Sequence, residues 1–460
     1  MYACTCCVLT IFHNSQPGCR ARAVANLYYA TWIEESKAKE SKDVGFGLSA
    51  SYPFLSSDRC LQVLAAYVNA TKLDASWEKP FYLLAKYYDT TLQNCQDMDS
   101  KNGLLNAKKG DDAASKGPRF KDASQKKVCE RKITLSAYIF FNYGRSLTLG
   151  TKYLFQALPR LLTLYFQFGD EFSFESAQST SSSSSSRSGG TSSRASADQE
   201  VNSALTRVKN IMLQQAENVL AFQWLTALPQ IISRLCHSNP TICEFINTVL
   251  VKVFLSYPNQ SLWMMAAVHR SIEQKRADRA ARIMNMVLAK ADQSTKDLIN
   301  EGLDLFAELI NVCKYPPPKN RTNVKISAKF PKLARSTPLR LIVPVQTALT
   351  TILPVKQDTR PAIPANHRPF PDNLATIQEF EDAVVFLRTK EKPRKLQIRG
   401  SDGKIYTFLC KTEVRGDMRK NSRMMEVCVC VCSLVMCAFL SNLVPFPFCW
   451  CSSTLWSIGC

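Results

Sequence analysis

At 460 residues and 46% hydrophobic content, the chain is too long and too apolar to be wholly disordered, and it has room for two or three domains with real cores. Its 58 Lys and Arg against 38 Asp and Glu leave a net charge of +20, a balance suited to partners rich in phosphate or carboxylate. Of its 18 cysteines, Cys4, Cys6, Cys7 and Cys19 crowd the start and Cys428, Cys430, Cys432, Cys437, Cys449, Cys451 and Cys460 the end; those between have no fixed spacing, which excludes a disulfide framework and suits a reduced, intracellular protein.

The stretch from Met1 to about Gln16 is cysteine-rich, carries no Asp, Glu, Lys or Arg, and lacks the basic start of a secretory signal, so residues 1–19 read as a non-native leader. Apolar residues at three- and four-residue spacing then predict a helical hairpin over Ala23–Ile33 and Cys60–Ala70. Ala70–Asp89 places a large aromatic before a Tyr- and Leu-rich helix that Asp74 or Ser76 can cap, in the manner of a tetratricopeptide-like repeat. Residues 97–131 are polar, Lys-rich and without period, and are expected to form a mobile insertion.

Helical patterns resume over Ile133–Gly144 and Leu154–Phe168. A serine-rich tract follows at 176–199, with an unbroken serine run from Ser181 to Ser186 that reads as a flexible linker. Further helices are predicted over Val201–Ala216, Gln223–Cys236, Ile242–Tyr257, Leu262–Ile272, Ala277–Lys290 and Thr295–Val312, with a turn at Pro258 and Asn259. Residues 20–312 are therefore expected to be a stacked helical solenoid. Pro316, Pro317 and Pro318 open a basic linker over 313–336. Leu339–Val345 and Gln397–Cys410 are strand-like, with a helix expected at Ile377–Arg388 between them, so residues 337–427 read as an α+β domain.

The basic excess concentrates in three loop-like stretches, Lys101 to Lys132, Lys314 to Arg340 and Arg388 to Arg423; solubilising inserts explain it, with a nucleic-acid-contacting surface as the alternative. From Val427 the chain runs Val-Cys-Val-Cys-Val-Cys and stays apolar and uncharged. A membrane span anchored by Lys420 and Arg423 is one reading, although Pro445 and Pro447 interrupt it. A zinc site lacks the paired Cys-x-x-Cys knuckles. The favoured reading is a translated GT dinucleotide repeat at an exon boundary, so residues 428–460 are expected to be a non-native tail and no membrane association is expected.

Four blocks in the helical part carry a family resemblance: Phe81-Tyr82-Leu83-Leu84-Ala85-Lys86-Tyr87-Tyr88-Asp89; Tyr143-Gly144-Arg145-Ser146-Leu147 leading to Gln156-Ala157-Leu158-Pro159-Arg160-Leu161-Leu162; Phe222-Gln223-Trp224-Leu225 through Arg234-Leu235-Cys236-His237; and Val253 through Met265. In that order they resemble the FAT domain of ATR-type phosphatidylinositol 3-kinase-related protein kinases. Read physically, most of these residues are helix packing: Trp263, Met264 and Met265 suit a core, and Arg234 and His237 suit capping or packing rather than catalysis.

Pro369-Phe370-Pro371 and Leu396-Gln397-Ile398-Arg399-Gly400-Ser401-Asp402-Gly403-Lys404 through Cys410-Lys411 continue the resemblance, looking like the first hairpin of a kinase amino-terminal lobe. The resemblance thus implies a mainly α fold, a TPR/HEAT-like FAT solenoid followed by a partial α+β kinase lobe. The Gly400, Ser401, Asp402 and Gly403 turn can bring backbone amides to phosphate oxygens, and Lys411 can set an ammonium against them. After Lys411 the family's acidic pair is replaced by Gly416-Asp417-Met418-Arg419, leaving Glu413 or Asp417 to pair with the lysine.

The resemblance further implies a nuclear Ser/Thr kinase of the DNA-damage checkpoint, acting on Ser-Gln or Thr-Gln sites with ATP and Mg. It also implies an ATRIP-like subunit, indirect contact with DNA and a homodimer of heterodimers. The catalytic-loop Asp, His and Asn and the Asp-Phe-Gly that hold substrate and magnesium do not follow Glu426, so this chain alone is expected to be inactive and to bind ATP weakly. A non-enzymatic helical scaffold is the competing reading.

Overall fold

The computed structural model describes residues 20–40, 58–101, 123–172, 192–318 apart from 270 and 272, 322–387 apart from 355–362 and 365, and 393–410. Lys411 and the apolar stretch beyond it, like residues 1–19 and the serine run, lie outside the described residues. Among the described residues, no helix is long and apolar enough to cross a membrane. The chain divides into two compact units, Met1–Val249 with Leu353–His367, and Leu250–Ile352 with Arg368–Cys460.

The first unit is built from α1 (Arg20–Glu40), α2 (Asp58–Leu73), α3 (Glu78–Lys101), α4 (Ala123–Leu149), α5 (Leu154–Glu171), α6 (Ser192–Asn218), α7 (Ala221–Thr226), α8 (Leu228–Ser233) and the first part of α9 (Pro240–Ser256). Successive helices from α1 through α5 pack on one another, and α4 also packs on α6. The stripe that drives this is plain in α3, where Phe81, Leu84, Ala85, Tyr88 and Leu92 recur on one face and are buried. Helix α5 hides Leu154, Ala157, Leu158, Leu161, Leu162, Tyr165 and Phe166, and Tyr165 meets Phe245 edge to face at 5.1 Å.

Two features differ from the sequence reading. Helix α3 runs on to Lys101 and α4 begins at Ala123, so both edges of the expected 97–131 insertion are helical; Arg131 pairs with the buried Asp99 across them, and Cys129 is buried. The predicted Gln223–Cys236 helix breaks into α7 and α8 at Ala227, because Pro229 has no N–H to donate to the Leu225 carbonyl. Asp74 and Ser76 lie in the turn before α3, where the Asp74 carboxylate accepts from Ser76 N at 3.3 Å and Ser76 Oγ at 2.9 Å.

The ends of α4 and α5 are finished by side chains from further along the chain. Gln223 Nε2 donates to Leu147 O at 2.8 Å and Gly150 O at 3.2 Å, at the end of α4. Asn239 Nδ2 donates to Gly169 O at 3.0 Å and Phe172 O at 2.8 Å, at the end of α5. His237 Nδ1 accepts the Asn239 amide at 3.1 Å, which puts the ring proton on Nε2, facing Phe166 O at 3.3 Å and Asp170 Oδ1 at 3.1 Å. This close approach needs Gly169, since a Cβ there would lie 2.4 Å from Ile242 Cγ1.

The second unit opens with α10 (Pro258–His269), α11 (Gln274–Lys290) and α12 (Gln293–Lys314), in which α10 packs on both others. Asp292 caps α12 through Thr295 N at 3.0 Å. Pro258, expected in a turn, is instead the first residue of α10, where its missing N–H costs nothing. Trp263 and Met265 are core residues, and Trp263 Nε1 donates to Ile342 O at 3.0 Å.

The 313–336 segment is more than a linker: it holds β1 (Asn323–Val324), α13 (Ile326–Lys329) and α14 (Pro331–Ser336), with Ile326, Phe330 and Leu333 buried. After α15 (Gln346–Leu349) come β2 (Ile377–Phe380), β3 (Val384–Phe386), β4 (Arg394–Gly400) and β5 (Ile405–Cys410), which with β1 form a five-stranded sheet. The helix predicted at Ile377–Arg388 is thus β2 and β3. Pairing with β4 overrides the helical spacing, burying Ile377, Val384 and Phe386 while Glu379 and Glu381 face Arg399 at 2.7 and 2.6 Å. The strand-like Leu339–Val345 runs beside 375–377 through Leu339 N to Ile377 O and Val343 N to Ala375 O, although only the Ile342 to Thr376 bridge is regular.

Asn239→Ala strips two buried carbonyls of their donor, and a loss of about 2–3 kcal/mol is expected in urea unfolding.

Candidate functional site

The hairpin of β4 and β5 carries the candidate residues. The strands pair in continuous register from Arg399 opposite Ile405 to Arg394 opposite Cys410. Leu396 and Ile398 on one strand and Phe408 and Cys410 on the other are buried, which fixes the register. The turn between them is closed by Gly403 N to Gly400 O and Gly400 N to Lys404 O, both 2.9 Å, and Gly403 takes the positive φ of 76° that favours glycine.

Gly400, Ser401, Asp402 and Gly403 are brought together, but their polar groups are spent inside the fold. Ser401 N donates to Thr376 O at 2.9 Å, while Ser401 Oγ accepts from Thr376 N at 3.0 Å. Asp402 takes Lys404 N at 3.2 Å and the Tyr406 hydroxyl at 2.7 Å, and its carboxylate faces the Lys404 ammonium at 3.4 Å. With so many N–H groups committed, and a carboxylate at its tip, the turn as folded offers little to an anion. The register also sets this turn at one end of the hairpin and Cys410, the residue before Lys411, at the other; the six residues of β5 span roughly 20 Å. The described residues therefore do not bring the turn and the lysine end of the strand together.

Electrostatics follow the same contacts. Partial burial and the bond to Asp402 push the Tyr406 hydroxyl up to about 12. Burial tends to raise the Asp402 pKa, but the Tyr406 and Lys404 bonds outweigh it and hold the carboxyl below its usual range. Among the described residues, no group of three His, Cys, Asp or Glu side chains is placed to hold a metal.

Sequence reasoning missed Arg394. It is 7% exposed, and its Nη2 donates to Tyr315 O at 2.9 Å while its guanidinium lies 5.7 Å from the Phe386 ring centre. A lone Arg between two lysine-rich neighbours gives no sequence signal of burial.

In the helical unit, the recognised blocks meet at a cluster. Arg160 grips the buried Asp89 with two bonds of 2.7 Å, and Tyr143 and Gln93 lie at 3.5 and 3.4 Å from the same carboxylate. The bond to Asp89 raises the Arg160 pKa, so the guanidinium stays charged at any working pH. The pair borders a cleft of about 240 Å3 whose other charged groups are Lys132 and Glu171, themselves paired. Its charges cancel within the wall, which suits a structural lock. Arg234, 3.8 Å from Asp170, and His237 finish the end of α5, as packing groups rather than catalysts.

A helical-repeat arm whose side chains tie together helices distant in sequence, followed in sequence by an antiparallel hairpin sheet, agrees with the class of FAT-domain proteins, and the FAT domain family matches residues 48–163. A second family, described as serine/threonine-protein kinase ATR-like HEAT repeats, matches residues 207–306. Serine/threonine-protein kinase ATR of Oryza sativa subsp. indica is 30% identical over 403 residues, covering 87% of this chain and 13% of its own length. Protein kinase rad3 of Schizosaccharomyces pombe is 33% identical over 303 residues, covering 65% of this chain and 12% of its own. The structure of the open conformation of CtTel1 shares the fold, with a TM-score of 0.51 at 15% identity over 84% of this chain and 15% of that one. The chain belongs to the ATR-type phosphatidylinositol 3-kinase-related protein kinase family, and it spans about 13% of the length of the rice relative.

Two outcomes test these sites. Arg160→Ala leaves Asp89 buried without its cation, and a loss of about 2–3 kcal/mol is expected by chemical denaturation. Because the Asp402 pKa is depressed in the folded turn, its support is present above the ordinary carboxyl value and lost as pH falls below about 4; Tyr406→Phe is expected to move the Asp402 midpoint upward in a carboxyl NMR titration.

Proposed function

We propose that the protein to which this segment belongs is a nuclear serine/threonine kinase of the DNA-damage checkpoint, transferring phosphate from ATP with Mg to Ser-Gln or Thr-Gln sites. The observation that carries this reading is the use made of the shared blocks. Those blocks contain Asp89, Arg160, Gln223, Gln230 and His237, side chains that join helices distant in sequence, α3 to α5, α4 to α7, and α5 to α8 and the turn beyond it.

Within the whole enzyme the segment serves as the arm and the first strands of the nucleotide lobe. Lys411, directly after β5, is assigned to the ATP phosphates, where an ammonium offsets charge on the transferred group. The Gly400, Ser401, Asp402 and Gly403 turn is assigned to the same lobe; it would meet phosphate only after exchanging its internal bonds, so its grip is weak. Magnesium ligands and the catalytic base come from parts of the enzyme other than this chain, which by itself transfers no phosphate. The arm also supplies surface for an ATRIP-like subunit and for pairing of such heterodimers, through which contact with DNA is indirect. A non-enzymatic helical scaffold is the second reading, favoured by the commitment of the turn's amides to internal bonds.

Calorimetric titration of the full chain with ATP and Mg is expected to give no micromolar binding. Micromolar affinity that disappears in Lys411→Ala would overturn the weak-grip assignment. In the whole kinase, the same substitution is expected to lower transfer to a Ser-Gln peptide by two orders of magnitude or more, on the order of 3 kcal/mol; unchanged transfer would remove Lys411 from the site.

A further inference from the structure

Helix α11 buries one stripe of side chains and leaves a second one open. Ala280, Ile283, Met284 and Val287 are its buried residues, and the helix packs on α10. Away from that stripe, Lys275, Arg279, Arg282, Met286 and Lys290 follow one another at intervals of four, three, four and four residues, which sets them in one row along the axis. Lys275, Arg282 and Lys290 are exposed, Arg279 is half-buried, and Met286 is 39% exposed. At the rise of an α-helix the row is roughly 22 Å long.

These cations differ from others in the chain. Arg131, Arg160, Arg340 and Arg399 each pair with a carboxylate. Among the described residues, Lys275, Arg279, Arg282 and Lys290 pair with none. The acids nearest in sequence are Glu273, at the N-cap, and Asp278, whose carboxylate accepts from Gln274 Nε2 at 2.7 Å. The row also works against the helix that carries it. Like charges stand four and three residues apart from Lys275 to Arg279 to Arg282, and Lys275 puts a cation at the positive end of the helix dipole. The first turn holds no acid to offset it. A row that repels itself and finds no partner in its own fold is satisfied by acid supplied from outside.

We propose that this face of α11 is a docking surface for an acidic helix of another protein, one that carries carboxylates at three- and four-residue spacing with an apolar side chain among them. Charge complementarity sets the sign of the partner, and Met286 sets its class. A thioether between Arg282 and Lys290 gives an apolar side chain a place to rest, whereas a phosphate backbone or a lipid headgroup makes its contacts through the cations. Alternation of three and four is the spacing of the seam that two packed helices share, so each carboxylate can stand against one cation while the apolar residue settles on Met286. Arg279 and Arg282 can each present two N–H groups to a carboxylate, and Lys275 and Lys290 extend the row as point charges. The surface stands on α11 alone and does not depend on whether the whole protein transfers phosphate.

The test is fluorescence anisotropy of the full chain, at near-physiological salt, with a labelled alanine-based helical peptide that sets glutamates in one row about a central leucine. The comparison probes are a peptide of the same composition with its glutamates spread round the helix, a single-stranded oligonucleotide of equal charge, and phosphatidylserine vesicles. The row peptide is expected to bind about tenfold tighter than the spread peptide. Arg279→Glu combined with Arg282→Glu is expected to weaken it about tenfold or more, and Met286→Ala about threefold. A row peptide with lysine in place of glutamate is expected to bind the charge-reversed variant and not the wild type. Equal binding of the row and spread peptides by the wild-type chain, a comparison that needs no variant to fold, would overturn the proposal. So would tighter binding of the oligonucleotide or the vesicles with no effect of Met286→Ala, which would make the row a phosphate surface.

Discussion

A helix that ends inside a protein leaves carbonyls with no partner in the helix, and each one buried bare costs about as much as a lost hydrogen bond or more. Much of the helical unit follows from answering that demand. The ends of α4 and α5 are closed by amide side chains supplied from further along the chain, Gln223 and Asn239. An amide suits the task because its two N–H groups can serve two carbonyls at once, as both residues do here. Gln223 also accepts the Leu220 amide at 3.1 Å, so one side chain finishes one helix and starts another.

The same device recurs in the second unit. Gln260 Nε2 donates to Ala348 O at 3.2 Å, and Asn259 Oδ1 accepts Ile342 N at 3.1 Å, so the first turn of α10 holds the irregular chain that leads into the sheet. Apolar stripes decide which helix faces lie together, while these amides decide where along each helix the contact falls. Stripes tolerate sliding by a turn; a bidentate bond to two particular carbonyls does not.

This division of labour explains what could be read from the sequence. Helices announced themselves through stripes such as Phe81, Leu84, Tyr88 and Leu92, and the β4 and β5 hairpin through the alternation around Gly400 and Gly403. The 97–131 stretch hid its helical edges because Asp99 and Arg131 look like surface charge until they are seen paired. Ile377–Arg388 read as a helix because its spacing fits one, and only long-range pairing with β4 makes it extended. At the candidate site, residue types and adjacency were legible, but hydrogen bonding was not. Nothing in Gly-Ser-Asp-Gly reveals that Thr376 takes both polar groups of Ser401, nor that Arg394 is buried.

Strand β4 is bonded along one edge by β5 and along the other by β3 and then β2. Removing or adding one residue inside 394–400 would turn core-facing side chains such as Leu396 and Ile398 outward against three neighbours at once, a larger slip than the single irregularity that β2 already takes up between Ile377 and Glu379. Insertions and deletions within this lobe should accordingly accumulate outside that stretch, making it the natural ruler for aligning more distant members of the family, even where their surrounding loops have drifted in length beyond comparison.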